Sequence, residues 1–240
     1  MKMRLLLGLC VFLSLGVVGS SAVAAVPSPG TCSGGSIPPG TYKGFTVTGN
    51  CIFAEGAVTI KGDLIVARGA LLNDHAASTA TVHVTGNVLV GKGAVLGLGD
   101  YDPSHNNATV DGNIIANQPL TLYLGAMTVH GSVVSNGGGD PGRNFPIKDD
   151  RIDGSLIING WSGLWMGVIR DTVRRDVIVT NNVAVDTSQL PGSDSTEVMT
   201  NDIHGDLICF GNSPAAQVNP DDGGLPNTVG GRKIGECAGL

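Results

Sequence analysis

The sequence predicts an all-β protein, a right-handed parallel β-helix of roughly seven to eight coils that follows a cleaved signal peptide. A short unit, glycine followed by Asn, Asp or Ser and then by two or three aliphatic residues, recurs along the chain. After residue 25, no window combines the 3.6-residue apolar period of a helix with capping signals. Of the 240 residues, 37 are Gly and 12 are Pro, which also disfavours long helices.

Residues 1–24 have the three parts of a secretory signal. Lys2 and Arg4 precede an apolar run that begins at Leu5, and Ala22-Val23-Ala24 forms a cleavage site. We expect cleavage after Ala24 and a secreted, extracellular mature protein without a membrane span. The alternative is an uncleaved anchor, because the stretch from Leu5 to Ala24 is just long enough to cross a bilayer.

Composition argues against a nucleic-acid-binding protein and against a disordered chain. The formal net charge is -6, with 14 Lys and Arg against 20 Asp and Glu. We expect no nucleic-acid partner, because a protein that binds nucleic acid needs clustered positive charge on its own surface. The 42% hydrophobic content excludes a mostly disordered chain, and the 4% aromatic content leaves aliphatic side chains to build the core.

Four cysteines belong to the mature chain: Cys32, Cys51, Cys209 and Cys237. An even number in an oxidising compartment indicates disulfides, and four cysteines allow three pairings. Proximity favours Cys32 with Cys51 and Cys209 with Cys237, which would place one crosslink near each end. Zinc is the alternative, but no C-x2-C spacing supports it, so we expect no metal there.

The repeat unit justifies the coils one by one. Its copies are Gly49–Phe53, Gly62–Val66, Gly86–Val90, Gly112–Ala116, Gly131–Ser135, Gly154–Ile158, Arg175–Val179, which lacks the glycine, and Gly205–Cys209. Branched aliphatic residues favour strands, and Gly-Asn or Gly-Asp is expected to supply positive φ angles at corners. The irregular steps of about 20 residues or slightly more indicate a solenoid.

Handedness and domain organisation follow from the same pattern. Parallel crossovers are overwhelmingly right-handed, and the strict six-residue repeat of left-handed relatives is absent. A β-sandwich built from hairpins is the alternative fold, although it does not require this repeat. We expect one domain over residues 25–240, with an N-terminal cap (25–51) and a C-terminal cap (209–240) that cover the open sheet edges.

Two longer patterns carry a family resemblance. One is Ile37-Pro38-Pro39-Gly40-Thr41-Tyr42 with Gly44, Thr46-Val47 and Cys51; the other is Ile203-x-Gly205-Asp206-Leu207-x-Cys209-x-Gly211-Asn212-x-Pro214, then Asn227-x-Val229-x-Gly231-x-Lys233-x-Gly235-x-Cys237. They resemble the two ends of small secreted bacterial β-helix-repeat proteins of unassigned function. The middle matches only as repeats, and residues 140–176 depart from the pattern. The resemblance implies export, a repeat solenoid and disulfide-bearing ends, and it implies no activity.

Residues 140–176 are the candidate site, because they hold both tryptophans and many charged residues. Many β-helix enzymes that cleave acidic polysaccharides hold calcium with surface carboxylates and use an arginine as base. The candidates are Asp149, Asp150 and Asp153 for calcium or acid-base chemistry, Arg170, Arg174 and Arg175 as base or carboxylate clamp, and Trp161 and Trp165 as faces for sugar rings. The alternative is that the charged residues form ion pairs across exposed corners, which contribute little to stability, while the tryptophans cover an end or a loop.

Known enzyme patterns are incomplete in this chain. Asp149-Asp150 matches one element of the polygalacturonase-like set, but no N-T-D precedes it, and Arg232-Lys233 lacks the R-x-K spacing. We therefore expect a non-enzymatic structural or surface-binding protein whose partner is a polysaccharide or cell-surface component. The alternative is a polysaccharide lyase, glycoside hydrolase or glycan-binding module that uses residues 140–176.

Cofactors and oligomeric state are the remaining expectations. We expect no cofactor, with calcium as the alternative, either at residues 140–176 or in the acidic loop that contains Asp100, Asp102 and His105. We also expect a monomer. End-to-end stacking of solenoids is the other option, but the disulfide-bearing ends oppose it because they would cover the edges that stacking uses.

Overall fold

A computed structural model describes residues 28–74, 80–100, 102–105, 107–185, 196–219 and 223–240. The predicted signal peptide and its cleavage site lie outside the described residues. Within those ranges the chain forms 27 strands and one short 3₁₀ helix, Glu236–Gly239. The prediction of an all-β protein is therefore confirmed.

The strands wind into a parallel β-solenoid of about seven coils. Every strand pairing in the described ranges is parallel, which excludes the hairpin sandwich. Each coil crosses three faces in turn. The parallel β-helix fold and its number of coils are confirmed.

The strands divide among the three faces as follows. Face 1 contains β5 (Leu64–Val66), β8 (Val88–Val90), β11 (Ile114–Asn117), β14 (Val133–Asn136), β17 (Leu156–Asn159), β21 (Val177–Thr180), β25 (Leu207–Phe210) and β27 (Lys233–Gly235). Face 2 contains β6 (Leu71–Asp74), β9 (Val95–Gly99), β12 (Thr121–Gly125), β15 (Asn144–Lys148), β19 (Trp165–Ile169) and β23 (Thr196–Met199). Face 3 contains β2 (Gly40–Tyr42), β4 (Gly56–Ile60), β7 (Ala80–Val84), β10 (Ala108–Val110), β13 (Thr128–Val129), β16 (Arg151–Ile152), β20 (Thr172–Val173), β24 (Asp202–Ile203) and β26 (Thr228–Val229). The pair β18 (Ser162–Gly163) and β22 (Val183–Ala184) stands apart.

The long strand β3 (Phe45–Phe53) starts the solenoid and spans faces 1 and 2. Its first part pairs with β5, where Phe45 is in register with Leu64. Its later part pairs with β6, where Cys51 is in register with Leu72. The predicted first repeat unit, Gly49–Phe53, therefore lies on face 2. The sequence analysis aligned this unit with the face 1 units, and that alignment was wrong. The residue of β3 that is in register with the first aliphatic residue of the next unit, Leu64, is Phe45.

The core is mainly aliphatic and continuous from one end of the solenoid to the other. On β5, Leu64 and Val66 are buried while Ile65 between them is exposed, and the face 1 strands from β8 to β25 alternate in the same sense. Each buried aliphatic side chain contributes about 1.5–3 kcal/mol through the hydrophobic effect. Stacking of like side chains in successive coils thus stabilises the solenoid along its length.

The glycine of the repeat is required by close approach between coils. The prediction that it supplies a positive φ was wrong, because Gly62, Gly86 and Gly112 are not among the positive-φ residues of the described chain. The amide of Gly112 donates to the carbonyl of Gly86 at 3.0 Å. A Cβ atom on Gly112 would lie 2.5 Å from that oxygen, well inside contact distance. Any side chain there would push the two coils apart.

The residue after the glycine forms a ladder along the corner between faces 3 and 1. The backbone N–H of Asn87 donates to Asp63 Oδ1 at 2.8 Å, and the backbone N–H of Asn113 donates to Asn87 Oδ1 at 2.9 Å. The same contact recurs at Ser132, Ser155, Asp206 and Arg232. A short side chain with an oxygen acceptor satisfies the next coil's backbone donor, which explains why Asn, Asp or Ser fills this position.

Both ends carry a disulfide. Cys32 joins Cys51 and Cys209 joins Cys237, which is the pairing that proximity in sequence favours. The first disulfide ties β1 (Gly30–Ile37), which lies beside β3, to the first coil. The second ties the 3₁₀ helix to β25. The crosslinks therefore hold the two terminal elements of the solenoid and leave the central coils without one.

Candidate functional site

Four of the predicted charged residues gather around two adjacent strands of face 3, β16 and β20. Asp149 lies just before β16 and Asp153 just after it. Arg170 and Arg174 take the same places around β20. The solenoid thus brings two Asp-Arg pairs from successive coils to the two edges of one short face.

Asp149 and Arg170 form a two-pronged ion pair at the corner between faces 2 and 3. The Arg170 Nε and Nη2 atoms donate to Asp149 Oδ1 and Oδ2 at 2.6 and 2.7 Å. The hydrogen bond to Asp149 raises the pKa of Arg170. An arginine that holds its proton more tightly is a poorer base, so this geometry suits a clamp or a structural pair better than proton abstraction.

Asp153 is the centre of a second cluster, at the corner between faces 3 and 1. His130 Nδ1 lies 2.8 Å from Asp153 Oδ2, and Arg151 Nη2 and Arg174 Nε lie 2.9 and 3.1 Å from Asp153 Oδ1. The hydrogen bond from His130, followed by the nearby arginine charges, lowers the pKa of Asp153. Both arginines and Arg175 are exposed or half-exposed. This edge therefore presents a surplus of positive charge on an acidic protein.

Asp150 lies in a different environment from the other candidates, because its side chain points into the solenoid and is only 2% exposed. Asp150 Oδ1 accepts a hydrogen bond from the backbone amide of Met127 at 3.0 Å. Burial raises the pKa of its carboxyl well above the usual value. Such a carboxyl does not contact a polymer at the surface, and its contacts place it in the backbone scaffold of this corner.

The two tryptophans have different positions. Trp161 is fully buried, its Nε1 donates to the Leu120 carbonyl at 3.0 Å, and its ring lies 5.2 Å from that of Phe145. Trp165 lies half-buried on β19, and Lys148 Nζ sits 4.8 Å from its ring centroid. Of the two, only Trp165 offers a ring at the surface for a sugar.

The described residues contain no group of three or more His, Cys, Asp or Glu side chains placed to hold a metal ion. In the acidic loop, His105 Nδ1 lies 3.1 Å from Asp100 Oδ2, and Ser104 donates to Asp102 Oδ1. Tyr101 and Asn106 of that loop lie outside the described residues.

Face 1 carries an outward-pointing column of aliphatic side chains, which we call the aliphatic stripe. Its members are in register on eight successive strands: Ile65, Leu89, Ile115, Val134, Ile157, Ile178, Ile208 and Ile234. Ile65 and Ile115 are 38% and 41% exposed, and the other members are half-buried. Strand spacing makes the stripe roughly 35 Å long.

A second outward column runs beside the aliphatic stripe and is polar but uncharged. Asn117, Asn136, Asn159 and Thr180 follow one another in register on β11, β14, β17 and β21. From β5 to β25, every outward-pointing strand residue of face 1 is uncharged. A shallow depression between Ile65, Leu89 and Ile115, bordered by Arg68 and Asn117, marks the N-terminal part of the stripe. Face 1 is therefore apolar along its midline and neutral at its outward strand positions.

Comparison of the chain with protein-family models, with curated proteins and with solved structures finds no match. The solenoid with a disulfide at each end agrees with what the family resemblance implied about fold. Membership of that family stays a prediction. No helix among the described residues is long and apolar enough to cross a membrane.

Sequence reasoning missed the aliphatic stripe, although its signal was present in the repeat. The units from Gly62 onward contain two or three aliphatic residues in a row, such as Leu64-Ile65-Val66. A strand with one buried face needs only alternate apolar residues, so a run of two or three places one of them outward. In these units the second aliphatic residue is the stripe member, and its repetition predicts a continuous apolar line on the outside.

Proposed function

We propose that this protein is secreted and acts as a non-enzymatic, surface-binding β-helix through face 1. The observation that carries the proposal is the aliphatic stripe, in register over eight strands. The two disulfides support an oxidising, extracellular compartment. The core is already filled by the neighbours of these residues, so the outer aliphatic column is not needed to build it.

The size and rigidity of the stripe support a binding role. At roughly 35 Å by 10 Å it covers on the order of 350 Å², which is comparable to the functional patches of other soluble proteins. Its backbone is held by pairing to the next coil and by the corner ladder. Because little backbone ordering is then required on binding, a repetitive partner is engaged at low entropic cost.

The proposed partner is an uncharged, repetitive surface such as a cell-wall polysaccharide, whose sugar rings present apolar C–H faces. Insoluble cellulose and chitin are the probes for a depletion assay with the mature protein. We expect at least one of them to remove the wild-type protein from solution, and Ile157→Asp to lower this binding about tenfold or more.

Ile52→Asp is the matched control, because Ile52 is 46% exposed but lies on the face 2 part of β3. The proposal is wrong if Ile157→Asp and Ile52→Asp behave alike. It is also wrong if the protein depolymerises a polysaccharide and Asp149→Ala abolishes that activity.

A second candidate function is binding or cleavage of an acidic polysaccharide at face 3. The observation that favours it is the surplus of positive charge from Arg151 and Arg174 around Asp153. Binding to polygalacturonate or alginate, measured with and without calcium, tests it. We expect salt-sensitive binding that Arg174→Ala weakens and that Arg232→Ala, at an exposed arginine paired with Asp206, leaves unchanged.

A further inference from the structure

We infer that face 1 binds face 1 of a second copy of this chain, so that two aliphatic stripes pack against each other in a two-fold dimer. The inference rests on the proposed function, because it names a partner for the same surface. Ile115, Ile157 and Ile178 lie in the central part of the column and would form the middle of the contact.

The spacing of the stripe favours a second copy over other proteins. Its side chains repeat once per strand, at about 4.8 Å, along an axis perpendicular to the strands. A partner that interdigitates with all of them needs the same period over the same length. Face 1 of another copy meets this requirement by construction, and a two-fold axis places the stripe on itself.

The polar column beside the stripe has the chemistry that self-association requires. Asn117 and Asn136 are exposed, and each side-chain amide both donates and accepts hydrogen bonds. With the two-fold axis perpendicular to the rods, which makes the rods antiparallel, the polar columns of the two copies face each other and the same groups complement them. The protein has a net charge of -6, so most of its surfaces would repel a copy of themselves. The outward strand residues of face 1 from β5 to β25 are neutral, so this part of the face brings no like charges together, and Arg68 borders it beyond the end of β5.

The area of face 1 is sufficient for a specific but weak dimer. Strands of three to four residues give the face a width of about 13 Å over its length of roughly 35 Å. Two copies would then bury on the order of 1,000 Å² in total, near the lower bound for specific interfaces. We therefore expect a dissociation constant on the order of micromolar.

Lateral pairing is compatible with the capped ends of the solenoid. The monomer expected from the sequence rested on blocked end-to-end stacking, since β1 and the C-terminal 3₁₀ helix occupy the two ends. Face 1 runs along the side of the rod, where neither end element interferes with a partner. The expectation of a monomer considered only the ends of the solenoid, whereas the proposed dimer forms through its side.

Sedimentation velocity and light scattering of the mature, disulfide-bonded protein, from about 1 µM to about 1 mM, test the inference. We expect the mass to rise from one chain to two and to stop there. Ile115→Asp should raise the dissociation constant about tenfold or more, while Ile52→Asp should leave it unchanged. If Ile115→Asp does not fold, Ile115→Thr keeps the branched side chain that suits a strand and still removes apolar contact.

Three results would overturn the inference: a constant monomer mass, a mass that grows beyond two chains, or equal weakening by Ile115→Asp and Ile52→Asp. A polymer and a second copy would compete for face 1, so the depletion assay is run well below the dimer dissociation constant, where face 1 is free. A protein that stays monomeric at all concentrations but binds a polymer through Ile157 refutes only the dimer. A protein that dimerises at high concentration but binds none of the probes when it is monomeric refutes only the surface-binding role.

Discussion

The backbone amide of Asp150 donates to Asp171 Oδ1 at 2.8 Å, inside the corner between faces 2 and 3. Both side chains are buried, and in each the second carboxyl oxygen, Oδ2, has no hydrogen-bond partner. Burial raises the pKa of both carboxyls well above the usual value, and the charge of each neighbouring acid raises it further. Arg170 acts in the opposite direction on Asp171, but to a smaller extent.

The same column continues with asparagines, which show what the aspartates replace. The backbone N–H of Asp171 donates to Asn201 Oδ1, and the backbone N–H of Asn201 donates to Asn227 Oδ1. The Nδ2 atoms of Asn201 and Asn227 also donate, at 2.8 Å, to the carbonyls of Val168 and Val198 one coil away. The Oδ2 atoms of the aspartates take the place of those donors. A protonated carboxyl can donate a hydrogen bond from this position as asparagine does, and an ionised one cannot.

Asp171→Asn should stabilise the protein at neutral and alkaline pH. An Asp whose native pKa is raised contributes its full stability below its unfolded pKa of about 4 and loses it as the pH rises towards the native pKa, because the native state then binds more protons than the unfolded state. We expect a gain in unfolding free energy of about 1 kcal/mol or more at pH 8 and little gain at pH 4. Urea unfolding across this pH range, with the disulfides intact, measures it.

The exposed Asp202→Asn is the control for this substitution, because its side chain is more than half exposed in the neighbouring coil. Its effect on stability should be small at either pH. If Asp171→Asn and the wild-type protein lose stability in parallel as the pH rises, the buried column does not depend on a protonated carboxyl.

The repeat allowed the fold to be predicted, because close approach of coils fixes both its glycine and its short polar residue. It did not allow the register to be predicted, since successive corner residues are separated by as few as 19 and as many as 30 residues. Asp149 and Arg170 are 21 residues apart in sequence and paired in space. Without the lengths of the intervening turns, the sequence does not show that Asp149 points outward to Arg170 while the adjacent Asp150 points inward.

Gly112→Ala should lower the unfolding free energy. The added Cβ would lie 2.5 Å from Gly86 O and 2.8 Å from Gly86 C, and these are backbone atoms that cannot turn aside. Overpacking of this kind costs about 1–3 kcal/mol. Chemical unfolding measures the loss. Gly142→Ala is the control, because its nearest neighbour would be Asp140 Oδ1 at an ordinary 3.5 Å. Equal stability of the two variants would show that the coils separate easily.

Reduction of the disulfides should loosen the ends of the solenoid before its middle. The loops closed by Cys32–Cys51 and Cys209–Cys237 span 19 and 28 residues, and each crosslink stabilises by roughly 3 kcal/mol on the loop-entropy model. Hydrogen exchange with and without reductant measures this. We expect the amides of β1 to exchange faster after reduction while those of β11 keep their protection. Unchanged protection of β1 would contradict the prediction.

The two tryptophans should respond in opposite ways to substitution and to quenchers. Trp161 is fully buried and its indole N–H is bonded to Leu120, so Trp161→Phe should lower the unfolding free energy by about 1–3 kcal/mol. Trp165 is half-buried on face 2, so Trp165→Phe should cost less. In Trp165→Phe the remaining emission comes from Trp161, and iodide should quench it poorly. In Trp161→Phe it comes from Trp165, and iodide should quench it strongly unless a bound glycan covers the ring. Strong quenching in Trp165→Phe would place Trp161 at the surface and restore it as a candidate for sugar binding.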